Sequence, residues 1–236
     1  MAIKKIPGLE HYPGSKEVNG TIQTIINLIP PHKTYYELFL GKGTVLLYKK
    51  PAAVTVAIDI DHRIIKLWRD STPSDIILEC SDALQYIPTL WAANKNAFIY
   101  CDPPYPKTSR RSHTDIYDYE MTDTDHEKFL SLAIKVNCNC MISTYPNKLY
   151  SKMLKDWHKV EFQSMTRGGP STEVLYMNYP PPTELHDYRY LGKDCWDRQR
   201  IKRKIHRRVE TLSKLPILEQ KAIMQALNKK LSDHNS

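Results

Sequence analysis

The sequence predicts an α/β fold: a mostly parallel, doubly wound sheet over residues 1–182, followed by a basic helical region over residues 183–236. Strand-like and helix-like segments alternate along the first part, which indicates parallel strands joined by helical crossovers. Two β runs separated by RGGPS close it and predict a hairpin that adds one antiparallel edge strand. After the prolines at 180–182 the alternation stops. Ligands of such a sheet bind beyond the carboxyl ends of its strands.

Each element follows from a local pattern. Val18, Ile22, Ile25, Ile26 and Ile29 recur at helical spacing and predict a first helix, which Pro30 and Pro31 end. Runs of β-branched and aromatic residues predict strands at 34–40, 52–59, 74–80, 96–101, 139–144, 158–166 and 172–179. Amphipathic patterns predict further helices from about Thr44 and over 63–69, 126–135, 147–157, 193–213 and 215–231.

Composition narrows the class of protein. An apolar fraction of 41% and a charged fraction of 25% are ordinary for a soluble globular protein of 236 residues. No apolar run is long enough to span a bilayer and no signal peptide is evident, so we expect a cytoplasmic protein without a membrane partner.

Cys138 and Cys140 could form half of a metal site. Because no second pair of ligands accompanies them, we expect reduced thiols and no metal.

Positive charge is concentrated near the C-terminus. Residues 183–236 hold 13 Lys and Arg against 7 Asp and Glu. Seven of these cations fall in one segment without any acid: Arg198, Arg200, Lys202, Arg203, Lys204, Arg207 and Arg208. Such a run is usually a solvated helix face, but seven uncompensated positive charges on about three helical turns repel one another. A polyanion relieves that repulsion, and nucleic acid is the polyanion that we expect.

Acidic residues follow three of the predicted strands. Asp59, Asp82 and Asp102 each lie where a strand ends, and Gly41 and Gly43 bracket the turn after the first strand. The glycines allow close approach of a ligand to the backbone, and an acid after the second strand commonly holds ribose hydroxyls. Helix N-capping, which Asp61 could equally provide, is the competing interpretation for Asp59, and N-capping competes again for Asp82; for Asp102 the alternative is a structural turn at the strand end. Three acids in register with a glycine turn indicate an adenosine-containing ligand.

Four motifs in order make the chain resemble the Dam-like family of N6-adenine-specific DNA methyltransferases. They are HYPGSK at 11–16, FLGKG at 39–43, DID at 59–61 and CDPPY at 101–105, and the resemblance covers roughly residues 10–180. It implies a Rossmann-like class I methyltransferase fold. It also implies S-adenosylmethionine as methyl donor, S-adenosylhomocysteine as product, and double-stranded DNA with a flipped-out adenine as substrate.

The resemblance also implies roles for individual residues. Asp102 and the Pro103 carbonyl would accept hydrogen bonds from the target amine, the two prolines would stiffen the corner, and Tyr105 would offer a flat face to the extruded base. Lys16 would pair with the carboxylate of the donor. The implied catalytic residues are Asp102, Pro103, Pro104 and Tyr105; the implied cofactor residues are Tyr12, Lys16, Phe39, Gly41, Gly43, Asp59, Asp82 and Asp102.

One departure from the family concerns DNA recognition. Longer Dam-like enzymes carry a target-recognition segment between the acid after the third strand and DPPY, but Asp82 and Asp102 leave room here only for a helix and a strand. Contacts to DNA must then come from the 106–121 loop with Arg110, Arg111 and Tyr117, from the 167–172 hairpin, or from the basic segment. We expect phosphate contacts from the basic segment and base contacts from the loops.

Two classes of alternative function remain open at this stage. A methyltransferase acting on RNA adenine N6 or on cytosine N4 would share the donor site and use a similar corner. A nucleic-acid-binding protein with a vestigial donor pocket would share the fold alone. The sequence leaves the recognition sequence, the oligomeric state and any partner nuclease undetermined.

Overall fold

The computed structural model describes residues 5–10, 12–13, 16, 20–72, 75–110, 114–166 and 169–234. Its contacts group into two compact units, Met1–Tyr190 and Leu191–Ser236. Among the described residues, no helix is long and apolar enough to cross a membrane.

The first unit is built on a seven-stranded sheet in the order β3-β2-β1-β4-β5-β7-β6. Its strands are β1 Thr34–Leu38, β2 Val54–Asp59, β3 Ile76–Cys80, β4 Ala97–Cys101, β5 Asn139–Thr144, β6 His158–Thr166 and β7 Gly169–Met177. Pairs from β3 to β5 are parallel, whereas β7 is antiparallel to both β5 and β6. The predicted fold class is confirmed. The hairpin supplies the one antiparallel strand, β7, which lies between β5 and the outermost strand β6.

Helices connect the parallel strands as predicted. They are α1 Thr21–Ile26, α2 Thr44–Tyr48, α3 His62–Ser71, α4 Ala83–Tyr86, α5 Asp123–Ala133 and α6 Lys148–Met153, with short 3-10 helices at Ile87–Leu90 and Lys107–Ser109. Asp61 caps α3 by accepting from the Arg63 N–H, and Asp82 caps α4 by accepting from the Leu84 N–H. Val18, assigned to the first helix from its spacing, lies outside the described residues.

Apolar layers cover both faces of the sheet. Strand β4 is buried along its whole length and contributes to both layers, because successive side chains of a strand point to opposite faces. Ile99 and Cys101 pack with α5, while Phe98 and Tyr100 pack with α1. All five cysteines are free thiols, and Cys101, Cys138 and Cys140 are buried. The fully buried central strand delivers the residue that follows it, Asp102, to the carboxyl edge of the sheet.

The second unit contains α7 Cys195–Ser213 and α8 Ile217–His234. The sequence placed its beginning at residue 183, after the prolines, whereas the contacts place it after Tyr190. Hydrogen bonds hold the intervening segment to the first unit: Asp187 accepts from the Lys50 N–H, and the His186 N–H donates to the Ile29 carbonyl. These contacts join residues far apart in the chain, so composition gives no sign of them.

His126 on α5 makes stability depend on pH. Its side chain is fully buried, Nδ1 lies 3.0 Å from the Tyr150 hydroxyl, and burial lowers its pKa to about 4. An unfolded histidine titrates near 6.5, so the unfolded state binds the proton first. The stabilisation that the neutral, buried His126 side chain provides is fully present above about pH 6.5. We expect up to ~3 kcal/mol of unfolding free energy to be lost as the pH falls towards 4.

Denaturant unfolding at several pH values tests this expectation. His126→Gln should reduce the dependence between pH 6.5 and 4, while His32, whose pKa burial lowers to about 3, keeps its own contribution; His62→Gln, at an exposed position, should leave the dependence as in the wild type. The same pH dependence in both variants would contradict the assignment to His126.

Candidate active site

A cavity of about 410 Å³ opens at the carboxyl ends of the parallel strands. It lies where the strand order reverses between β1 and β4, which is where open α/β sheets bind their ligands. Its walls come from the turn after β1, the ends of β2 and β3, the corner after β4 and the segment 116–121. The lining includes eight carboxylate side chains but only two lysines, Lys16 and Lys42. The cavity therefore suits a ligand that carries positive charge.

The turn after β1 brings backbone against the cavity. Phe39 has φ 65°, the only positive φ among described residues other than glycine, and Gly41 and Gly43 follow at φ 45° and 61°. A Cβ added to Gly41 would lie 2.5 Å from Cε1 of Tyr12, and one added to Gly43 would lie 2.2 Å from Cζ2 of Trp68. These contacts require glycine at both positions. The Trp68 indole N–H also donates to the Gly41 carbonyl at 3.0 Å.

Asp59 ties the end of β2 to this turn. Its carboxylate accepts from the Gly41 N–H at 2.8 Å and from the Asp61 N–H at 2.9 Å. Burial raises the pKa of Asp59, and these two hydrogen bonds oppose that rise. Asp59 lines the cavity together with Asp61 and Asp82. The N-cap interpretation therefore holds for Asp61 and Asp82, and it does not remove either carboxylate from the cavity.

The corner after β4 exposes one carboxylate to the cavity. Asp102 and Pro104 line it, Pro103 is buried, and the Asp102 side chain is 20% exposed. Burial raises the pKa of Asp102, while the Lys16 ammonium, 3.1 Å from Oδ1, opposes the rise. The Asp102 side chain is thus partly exposed to the cavity and is otherwise enclosed by protein.

Lys16 and Tyr105 make contacts other than those predicted for them. Lys16 was expected to hold the donor carboxylate, but its ammonium donates to the Tyr105 hydroxyl at 2.5 Å and pairs with Asp102 and Glu173. Tyr105 was expected to offer a free ring face, but it is buried and its ring packs edge-on against Tyr145 at 4.5 Å between centroids. Both differences have one cause: the buried ammonium needs acceptors, and Tyr105 is one of them.

Arg110, which was predicted to contact DNA, binds other groups of the protein. Its guanidinium donates to both oxygens of Glu120, at 2.7 and 2.6 Å, and to the Tyr105 carbonyl at 2.6 Å. Glu120 also accepts from the N–H groups of Ile116 and Tyr117. Burial opposes ionisation of Glu120, but these donors, Arg110 above all, lower its pKa to about 2. Arg110 therefore shapes the loop that lines the cavity and is not free for phosphate.

The other predicted nucleic-acid residues divide among three locations. Arg111 and part of the 167–172 hairpin lie outside the described residues. Tyr117 lines the cavity, with its ring centroid 6.3 Å from that of Tyr12. The remaining residues lie on α7, which buries no side chain: Arg198, Arg200, Lys202, Arg203, Lys204, Arg207 and Arg208.

Three acids of the site did not emerge from the sequence. Glu37 lines the cavity and accepts from the Tyr35 hydroxyl at 2.6 Å, and burial raises its pKa to about 8. Glu173 on β7 is 5% exposed and accepts from the Tyr105 hydroxyl at 3.2 Å. Glu120 organises the loop. Glu37 and Glu173 had an available signal, since each is the single acid within a predicted strand.

The sheet order, with its antiparallel seventh strand, defines a Rossmann-like class I methyltransferase fold. The family model of the D12 class N6 adenine-specific DNA methyltransferases matches residues 77–166, which run from β3 through the Asp102 corner into β6. The match falls on the segment that holds the predicted CDPPY motif, and it agrees with the resemblance predicted from the motifs. No curated protein matches the chain.

Solved structures give fold-level similarity. PH1948 of Pyrococcus horikoshii, provisionally named an RNA methyltransferase, is 12% identical, with 75% of this chain and 90% of that chain covered at a TM-score of 0.46. The magnesium protoporphyrin IX methyltransferase of Synechocystis PCC 6803, solved with bound S-adenosylmethionine, is 14% identical. The comparison covers 67% of this chain and 78% of that chain at a TM-score of 0.45. Similarity at this level carries no argument about the substrate.

Gly43 provides a test of the turn. Gly43→Ala should lower the unfolding free energy by about 2–4 kcal/mol, because the methyl group meets the Trp68 ring and the residue keeps a left-handed φ. Gly8→Ala is a matched control: Gly8 also has positive φ, but its nearest contact, to Leu67, is 3.3 Å. Thermal unfolding of both variants separates the two effects. Equal losses would show that backbone strain, and not the clash, sets the cost.

Proposed function

We propose that this protein transfers a methyl group from S-adenosylmethionine to the N6 amine of an adenine flipped out of double-stranded DNA. The observation that carries the proposal is the Asp102 corner, which opens into an acidic cavity beside the glycine turn and lies within the segment matched by the D12 family. Methyl transfer is the reaction class of that family. The choice of DNA adenine as substrate belongs to the proposal.

The cavity has the properties that the methyl donor requires. Its volume of about 410 Å³ falls within the usual range of small-molecule sites. Asp59 is proposed to accept hydrogen bonds from the ribose hydroxyls of the donor, and Asp82 to lie near its adenine. Phe39, Gly41 and Gly43 form the wall of the cavity at the turn after β1. The donor carries a sulfonium cation, which the surplus of carboxylates favours. When bound, it would supply an electrophilic methyl carbon and leave as S-adenosylhomocysteine once the carbon–sulfur bond breaks, while the methylated amine gives up one N–H proton.

Asp102 then acts on the acceptor. The lone pair of the adenine N6 amine is delocalised into the ring, so the amine is a poor nucleophile. Hydrogen bonds from its N–H groups to the Asp102 carboxylate and to the Pro103 carbonyl localise electron density on nitrogen as the new bond forms. Pro103 and Pro104 fix the backbone there, so that the acceptors are positioned before the substrate arrives.

Base stacking falls to other aromatic residues than Tyr105. Tyr117 and Tyr119 line the cavity, and Tyr119 is 43% exposed. A tyrosine beneath an extruded base contributes on the order of 1–3 kcal/mol, which offsets part of the few kcal/mol that unstacking costs. The ion pair of Arg63 with Asp118 and the Arg110–Glu120 pair hold this segment at the cavity.

Methylation of duplex DNA tests the proposal directly. The wild type should transfer labelled methyl groups to duplex DNA, and nucleoside analysis should recover N6-methyladenine. Asp102→Asn keeps the shape but weakens the acceptor and alters its pairing with Lys16, so we expect kcat to fall about 100-fold or more, with DNA affinity within a few-fold. Asp156→Asn, an exposed acid between α6 and β6, is the control. Product found only on RNA adenine or cytosine N4 would overturn the substrate, and absence of donor binding would favour the vestigial pocket.

Phosphate contacts are proposed for α7. Arg203 and Arg207 are exposed and lie on one face of the helix, four residues apart. The double variant Arg203→Ala, Arg207→Ala should reduce the slope of log affinity against log salt by about 2, because each phosphate contact releases roughly one counterion. Lys229→Ala, Lys230→Ala on α8 removes the same charge and should change the slope less. Fluorescence anisotropy across a salt series measures both variants, and equal slopes would refute the assignment to α7.

A further inference from the structure

The cluster around Lys16 joins three elements that are distant in the chain. Lys16 precedes α1, Asp102 and Tyr105 follow β4, and Glu173 belongs to β7. Lys16 is 5% exposed; its ammonium donates to the Tyr105 hydroxyl at 2.5 Å and forms ion pairs with Asp102 at 3.1 Å and Glu173 at 3.5 Å. One hydrogen bond and two carboxylates thus compensate the buried charge. A buried cation stays charged only with such compensation.

We infer that Glu173 is a positioning residue for methyl transfer: it holds Lys16 and Tyr105 so that Asp102 presents its carboxylate to the target amine. This inference rests on the proposed function. Glu173 does not line the cavity among the described residues, so it acts through its two partners. Its own position is fixed, because it is paired in the regular ladder between β6 and β7, opposite Phe162.

The geometry explains why a second carboxylate is needed. With Asp102 as its only anionic partner, the Lys16 ammonium would close fully onto Asp102 and compete with the amine for the same oxygens. Glu173 draws Lys16 towards β7 and shares its charge. Glu173 also accepts from the Tyr105 hydroxyl at 3.2 Å, which orients that hydroxyl oxygen towards Lys16. Asp102 thus stays beside the Lys16 ammonium while its carboxylate remains available to the target amine.

Asp102 responds to charge in this cluster. Burial raises its pKa, Lys16 opposes the rise, and the negative charge of Glu173 adds to it. Removal of that charge should therefore lower the pKa of Asp102. The titratable groups that face Asp102 are Tyr12, Lys16, Glu37, Tyr100, Cys101, Tyr105, Tyr117, Tyr150 and Glu173.

Glu173→Gln tests the inference, since glutamine keeps the shape and an oxygen that accepts from Tyr105 but lacks the charge. We expect kcat for DNA methylation to fall on the order of tenfold, KM for the donor to stay within about twofold, and the acidic limb of the kcat–pH profile to move to lower pH. Glu161→Gln, an exposed glutamate of the same hairpin, is the control and should behave as the wild type.

A second measurement separates this inference from the proposed function. Carbon-13 NMR titration of the Asp102 carboxyl, assigned with Asp102→Asn, requires neither DNA nor turnover. A lower Asp102 pKa in Glu173→Gln, but not in Glu161→Gln, would support the coupling even if the wild type does not methylate DNA; that combination would overturn the proposed function alone. An unmoved Asp102 pKa, or a fall in kcat with an unmoved acidic limb, would overturn the inference and leave Glu173 a merely structural residue.

Discussion

The active-site region depends on one buried ammonium group among carboxylates. Asp102 and Glu173 both pair with the Lys16 ammonium at the carboxyl edge of the sheet, where burial raises the pKa of Asp102. Lys16 compensates both and is itself kept charged by them, with its pKa raised above the ordinary value for lysine. The same ammonium fixes the Tyr105 hydroxyl. Removal of any one charge from such a cluster leaves another uncompensated, so its members act as a unit.

A second set of contacts shapes the donor side of the cavity. Asp59 fastens the glycine turn through the Gly41 N–H, and Trp68 fastens the same residue through its carbonyl. A turn held on both sides cannot relax away from a ligand, which keeps the wall of the cavity close and fixed. The opposite wall is the loop organised by Glu120. Rigid backbone on one side and a polar, ion-paired loop on the other suit a site that must admit and release a charged donor.

The chain also places the two sets of proposed functional residues in different units. The residues proposed for chemistry all belong to the first unit, whereas the longest run of uncompensated positive charge lies on α7 in the second. In a protein without an insert between β3 and β4, the proposed phosphate contacts of α7 would supply affinity without enlarging the sheet domain. The proposed base contacts then belong to short segments beside the cavity, where Tyr119 is an exposed aromatic residue.

The sequence by itself determined the fold class, the strands and the location of the site. Hydrophobic period and turn residues are local properties, and the acids that follow parallel strands must share one edge. Asp59, Asp82 and Asp102 lie on the cavity for that reason. Only the tertiary structure decided the partners of Lys16 and Tyr105, because those partners come from segments whose approach is set by long-range packing. Arg110 finds Glu120 within its own loop, whose conformation the strand and helix patterns do not specify. Glu173 shows the limit most clearly: the pattern places it in a strand, but its contact with Lys16 exists only once the hairpin has joined the sheet.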